Sequence, residues 1–165
     1  MKNRAWFKHY DKAVPHTLAP YPERTLLDVI AESASQRPGH PALLFQGNPI
    51  SYRELEALST AFAAALLGLG VKPGDRVALL LPNSPQMLVA LFGAWKAGGI
   101  VVPLNPLYTE RELEHAFCES GAIAVVVLTP FYNKVKAIQA RTPVRHVIAT
   151  NIKEFLPSIK KILFT

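Results

Sequence analysis

Five groups of residues have types or spacings that invite a reading as phosphate, metal, proton or ligand sites. Gly93 and Gly98 stand at the interval of a P-loop, whose backbone N–H groups cradle phosphates while a following Lys and Ser or Thr hold phosphate and magnesium. Gly99 and Ile100 occupy those two places here, so the groups that would hold the ligand are missing. Gly68-Leu69-Gly70 begins a dinucleotide fingerprint, but Pro73 fills the third glycine position. That run also closes a helical pattern, where the fingerprint opens one. His9, His16, His40, His115 and His146 show no ligand spacing with one another or with Cys118.

Glu110, Glu112, Glu114 and Glu119 cluster within one helical pattern. Carboxylates there favour the positive helix N-terminus and share a solvated face with Arg111 and His115, a simpler role than acid–base work. Lys96 stands alone in an apolar helical stretch just before Gly98-Gly99. Its stem can pack while the ammonium meets carbonyls at the helix end, a structural role, with a ligand-facing role as the alternative. No catalytic, cofactor-binding or metal-binding residue is expected in this chain.

The elements that carry these residues are marked by caps and periodicity. Pro15, Pro20 and Pro22 among aromatics suit an extended arm over residues 1–24. Thr25 and Asp28 cap a helix with apolar Leu26, Leu27, Val29, Ile30 and Ala34, which Pro38-Gly39 stops. Apolar runs flanking Gly47-Asn48-Pro49 predict a short hairpin. Ser51 and Glu54 then form a capping box ahead of Leu55, Leu58, Phe62, Leu66 and Leu69 at helical spacing.

From Pro73-Gly74 onward strands and helices alternate. Strands are predicted over residues 77–81, 100–104, 122–128 and 144–149. Helices are predicted from Ser84-Pro85 to Gly98, from Thr109 to Gly121 and from Thr129 to about Arg141. Unbroken apolar strands suit a parallel sheet covered on both faces, and short connections force right-handed crossovers. The fold class is therefore α/β, a parallel sheet with helices on both faces, preceded by the arm and hairpin. Residues 25–150 are expected to form the α/β subdomain, and residues 151–165, with Ile152, Phe155, Leu156, Ile159 and Leu163, the start of a helical segment.

A chain of 165 residues suffices for one domain. Half of its residues are hydrophobic and 18% are charged, an apolar balance which leaves surface for contact with something else. The net charge of +6 is spread from Lys2 to Lys161 without a basic run, which argues against nucleic acid as a partner. Cys118 has no partner for a disulfide and is expected to be a buried thiol. No signal-peptide segment precedes Asp11. Residues 87–104 approach the length of a bilayer span, but Lys96, Gly98-Gly99 and Pro103 interrupt them, so no transmembrane segment is expected.

The run Trp95-Lys96-Ala97-Gly98-Gly99-Ile100-Val101-Val102-Pro103-Leu104-Asn105-Pro106 follows Pro82-Asn83-Ser84-Pro85 and precedes Leu107-Tyr108-Thr109-Glu110-Arg111-Glu112-Leu113. This pattern resembles the N-terminal part of ATP-dependent acyl-CoA synthetases, adenylate-forming enzymes, and most nearly their long-chain fatty acid branch. The likeness runs over about residues 25–149. It implies one of two α/β layers which, with a small barrel, make up the large N-terminal region ahead of a mobile C-terminal domain. It also implies an acid–thiol ligase that joins a fatty acid to CoA through an acyl-adenylate, using ATP, Mg²⁺ and CoA.

The family's phosphate loop, its adenine and magnesium motif, its ribose Asp and its C-terminal lysine have no match in residues 1–165. The resemblance therefore implies an N-terminal fragment, inactive alone and binding none of these cofactors. Its partner would be the remainder of the enzyme chain, with a fatty acid substrate in the full enzyme. A homodimer contact through the arm is compatible with this, and the location would be cytoplasmic, with peripheral placement at the membrane compatible as well. The alternative is a free-standing flavodoxin-like α/β binding module without catalysis.

Overall fold

The computed structural model describes residues 4–157 and 160. Three reciprocal capping boxes start the helices that the sequence marks. Thr25 and Asp28 open α1 (Leu26–Gln36), Ser51 and Glu54 open α2 (Tyr52–Gly68), and Thr109 and Glu112 open α4 (Glu110–Ser120). In each box the hydroxyl accepts from one orphan backbone N–H while the carboxylate accepts from another. Pro85 takes the first position of α3 (Pro85–Lys96), where its missing N–H leaves no bond unmade. Gly121 ends α4 at φ +63°, left-handed backbone that a Cβ would strain.

Strands β1 (Pro41–Phe45) and β2 (Asn48–Ser51) pair antiparallel as the expected hairpin. The main sheet contains β3 (Arg76–Leu80), β4 (Ile100–Pro103), β5 (Ala122–Leu128) and β6 (His146–Thr150). All of its pairings are parallel, in the order β4-β3-β5-β6. The chain steps outward from β3 to β4, then returns past β3 to β5. The gap between β3 and β5 is thus the point where the winding reverses.

The period-2 alternation of the strands splits the core in two. Val77, Leu79, Ala124 and Val126 face Ala63 and Leu66 of α2 and Ala90 and Ala94 of α3. Ala78, Leu80, Val125 and Val127 face Leu113 and Phe117 of α4 and Val135 and Ile138 of α5 (Tyr132–Gln139). Both faces are covered, which is why these strands read as continuous apolar runs.

Several expectations are corrected. The helix predicted from Thr129 divides into a 3-10 turn at Thr129–Phe131, carrying Pro130, followed by α5. The arm is not wholly extended, because Ala5–His9 form a 3-10 turn around which aromatic rings gather. Cys118 is exposed, on the outer side of α4, with its thiol 3.6 Å from the Arg141 carbonyl. The phenylalanine just before it, Phe117, takes the inward place. At residue 151 a 3-10 turn, Ile152–Phe155, replaces the start of an α-helix, and Leu156 leaves it extended before Pro157. The rest of the predicted helical segment, apart from Lys160, lies outside the described residues.

Candidate functional site

Open α/β sheets bind ligands beyond the carboxyl ends of their strands, at the reversal point. Here that position is formed by the loop from β3 into α3 and by the ends of β5 and β6. Ser84 precedes α3 and makes no side-chain cap, although it is buried. Gln86 is also buried, and its Nε2 donates to the Asn151 carbonyl at 2.8 Å, tying α3 to the end of β6. Ser84 Oγ and Gln86 Oε1 have no hydrogen-bond partner among the described residues. Gln86 stands at one end of a groove of about 330 Å³ walled by Leu58, Phe62, Val89, Ile148 and Phe155. Thr150 and Glu154 add polar groups to these mostly apolar walls, and the Thr150 hydroxyl donates to Glu154 Oε2 at 3.1 Å, so the groove offers packing surface and hydrogen-bond acceptors.

Lys96 takes a structural position, but across the helix pair and not at its own helix end. Its ammonium forms an ion pair with Glu56 Oε1 at 2.8 Å and donates to Ser59 Oγ and Thr60 Oγ1, each at 2.9 Å, and to the Glu56 carbonyl at 3.2 Å. Lys96 therefore ties the C-terminal end of α3 to the middle of α2. Glu56 was missed in the sequence, although Glu56, Ser59 and Thr60 lie at i, i+3 and i+4, a polar stripe within an apolar helix.

The glycines of the P-loop-like run serve packing. A Cβ on Gly93 would lie 2.7 Å from Phe62 Cδ1 and 2.9 Å from the Ser59 carbonyl, so this glycine lets α2 and α3 approach closely. Gly98, at φ +77°, turns tightly against Pro73. Backbone occupied in this way does not fit a phosphate group.

The loop after β4 is held by its own polar atoms. Asn105 Oδ1 accepts from the Leu107 N–H at 3.0 Å, and Lys134 Nζ donates to the Tyr108 carbonyl at 2.8 Å. The glutamates of α4 also have structural partners. Hydrogen bonds from Thr109 backbone and hydroxyl hold the Glu112 carboxyl below its ordinary range, and a hydrogen bond from Arg141 does the same for Glu114. Asp28 and Glu54 are lowered by the equivalent backbone and hydroxyl bonds of their own capping boxes. His9, His16, His40 and His115 are exposed and His146 is half-buried. Among the described residues no three His, Cys, Asp or Glu side chains gather as a metal site. No described helix is long and apolar enough to cross a membrane.

Residues 30–162 match the model of a family described as "AMP-binding enzyme". A long-chain-fatty-acid–CoA ligase of Yersinia pestis is 42% identical over 158 residues, covering 95% of this chain. The chain spans 28% of the length of that relative. Among solved structures, a long-chain-fatty-acid-CoA ligase from Archaeoglobus fulgidus superposes with a TM-score of 0.72 at 26% identity, covering 82% of this chain and 30% of its own. An anthranilate CoA ligase in complex with anthranoyl-AMP superposes with a TM-score of 0.71 at 25% identity, over 74% of this chain and 24% of its own. The chain belongs to the AMP-binding enzyme family and is homologous to the N-terminal part of its long-chain fatty acid CoA ligases.

Proposed function

We propose that this chain is a scaffold layer of an ATP-dependent long-chain fatty acid CoA ligase. Such an enzyme converts fatty acid, ATP and CoA to acyl-CoA, AMP and pyrophosphate. The fatty acid carboxylate displaces pyrophosphate from the α-phosphorus of ATP, with Mg²⁺ as counter-ion. The CoA sulfur then displaces AMP from the acyl carbonyl and its proton leaves to solvent. No step is assigned to a residue of this chain, whose Gly93 and Gly98 are packed against Phe62 and Pro73. Its contribution is position: the sheet and the α2–α3 pair hold the loops against which the rest of the enzyme is built. Both the nucleotide-handling residues and the acyl tunnel are assigned to that remainder.

The observation that carries this reading is the 42% identity extending over 95% of the chain. A free-standing flavodoxin-like module is not favoured, because such a module has no reason to keep that likeness from end to end. The proposed location is the cytoplasm, with peripheral attachment at the membrane surface where long-chain acids partition.

A chimera tests the activity. The Yersinia pestis ligase with its matching 158 residues replaced by those of this chain should catalyse palmitate-dependent exchange of pyrophosphate with ATP, and this chain alone should give none. A folded chimera without exchange, or exchange by the 165-residue chain alone, overturns the reading.

A further inference from the structure

The N-terminal arm carries a surface that the body of the molecule does not use. Residues 4–24 are exposed throughout except for Phe7, which is half-buried. The shielding of Phe7 is local: the His16 ring stacks on it at 4.1 Å, and Trp6 and Tyr10 meet it edge-on at 6.2 and 5.6 Å. Around this knuckle Trp6 remains 53% exposed, Tyr21 69% and Leu18 75%.

The cations are interleaved with the rings. Arg4 lies over the Trp6 ring at 5.4 Å, and Lys8 and Lys12 lie on either side of Tyr10 in sequence, with Asp11 the one acid between residues 4 and 16. A protein core would have to strip water from Lys8 and Lys12 to receive Trp6 and Tyr10 beside them, at a high desolvation cost. At the headgroup level of a bilayer, by contrast, Trp and Tyr rings and lysine ammoniums are accommodated together. Anionic lipid adds attraction for each cation held near the surface.

We infer that the aromatic and basic knuckle of residues 4–21 is the membrane contact of this protein, and that it docks on anionic phospholipid headgroups. The inference rests on the membrane-surface placement proposed above and names the residues that make it. The knuckle has no helix long enough to lie in the bilayer, so attachment is shallow, reversible and salt-sensitive.

Vesicle partitioning of the purified 165-residue chain tests this. The wild type should sediment with phosphatidylglycerol–phosphatidylcholine vesicles, much less with pure phosphatidylcholine, and detach as salt is raised. Lys8→Glu with Lys12→Glu should weaken partitioning by at least about 25-fold. Arg53→Glu with Arg111→Glu, the same change in net charge placed on the body, should cost far less. Trp6→Ala with Tyr10→Ala should weaken it several-fold with an unchanged melting temperature, since both side chains are exposed and their ring partners lie within the arm. In a Trp95→Phe background the remaining Trp6 emission should shift to the blue on anionic vesicles. Arm variants that partition like wild type, or body charges that matter as much, overturn the inference while leaving membrane attachment intact. No partitioning onto any vesicle overturns both. Neither result bears on pyrophosphate exchange, which reads the ligase assignment separately.

Discussion

In β3, Val77, Ala78, Leu79 and Leu80 are each completely buried, whereas α1, with apolar Leu26, Leu27, Val29 and Ile30, has no buried residue at all. Both segments are apolar and both form the element that their sequence marks. The difference lies in coverage. β3 is the inner strand between β4 and β5, with helices on both faces, so every side chain meets a partner whichever way it points. α1 lies at the margin, with Leu26, Leu27 and Trp95 edging an open hollow of about 260 Å³. Apolar periodicity states which face seeks cover; only neighbouring elements determine whether cover is there.

The strongest test of this contrast is Leu80→Asp. The side chain sits in a buried cluster with Leu113, Phe117, Val125 and Val127. A carboxylate there loses its hydration without compensation, at a cost on the order of several kcal/mol. Loss of the cooperative melting transition is the expected result, and an unchanged thermal melt would mean that β3 is not covered on both faces.

Between the extremes stands the α2–α3 pair, joined by Gly93 contact and by Lys96. Lys96→Met keeps the packed stem but leaves Glu56 without its cation, although Glu56 Oε2 is buried and already lacks a partner among the described residues. A side chain only partly shielded from solvent should lose about 1–3 kcal/mol. Chemical denaturation checks this, and in the double variant Lys96→Met/Glu56→Gln part of the loss should return, because no charge is then left uncompensated. Equal loss in single and double variants would assign the effect to packing alone.

The capped and continuous elements were legible in the sequence because their signals are local. Thr25/Asp28, Ser51/Glu54 and Thr109/Glu112 each set a helix start within four residues, and unbroken apolar strands announced a sheet covered on both faces. Strand order was not legible, since the reversal between β3 and β5 depends on which helix packs on which face. The partners of Lys96 were also hidden: Glu56 lies 40 residues earlier, and only the close approach at Gly93 brings the two together. Cys118 was misplaced for a related reason. Phe117 and Cys118 are adjacent, and the helical period admits one of them to the core, a place that the larger ring takes.

The smallest expected effect belongs to α1. Leu26 is 63% exposed at the first position of the helix, where a carboxylate lies close to the positive end of the helix dipole. Leu26→Glu should therefore change stability by no more than about 0.5 kcal/mol, a shift of roughly 2 °C or less in melting temperature. A drop of 5 °C or more would show that α1 is covered by its own body. The same substitution in the chimeric ligase sharpens the comparison. If the remainder of a ligase lies over this helix, Leu26→Glu should cost clearly more there than in the 165-residue chain, whereas Leu80→Asp should be equally damaging in both. A face covered from within does not depend on the rest of the protein, while a face left open is sensitive to whatever comes to occupy it.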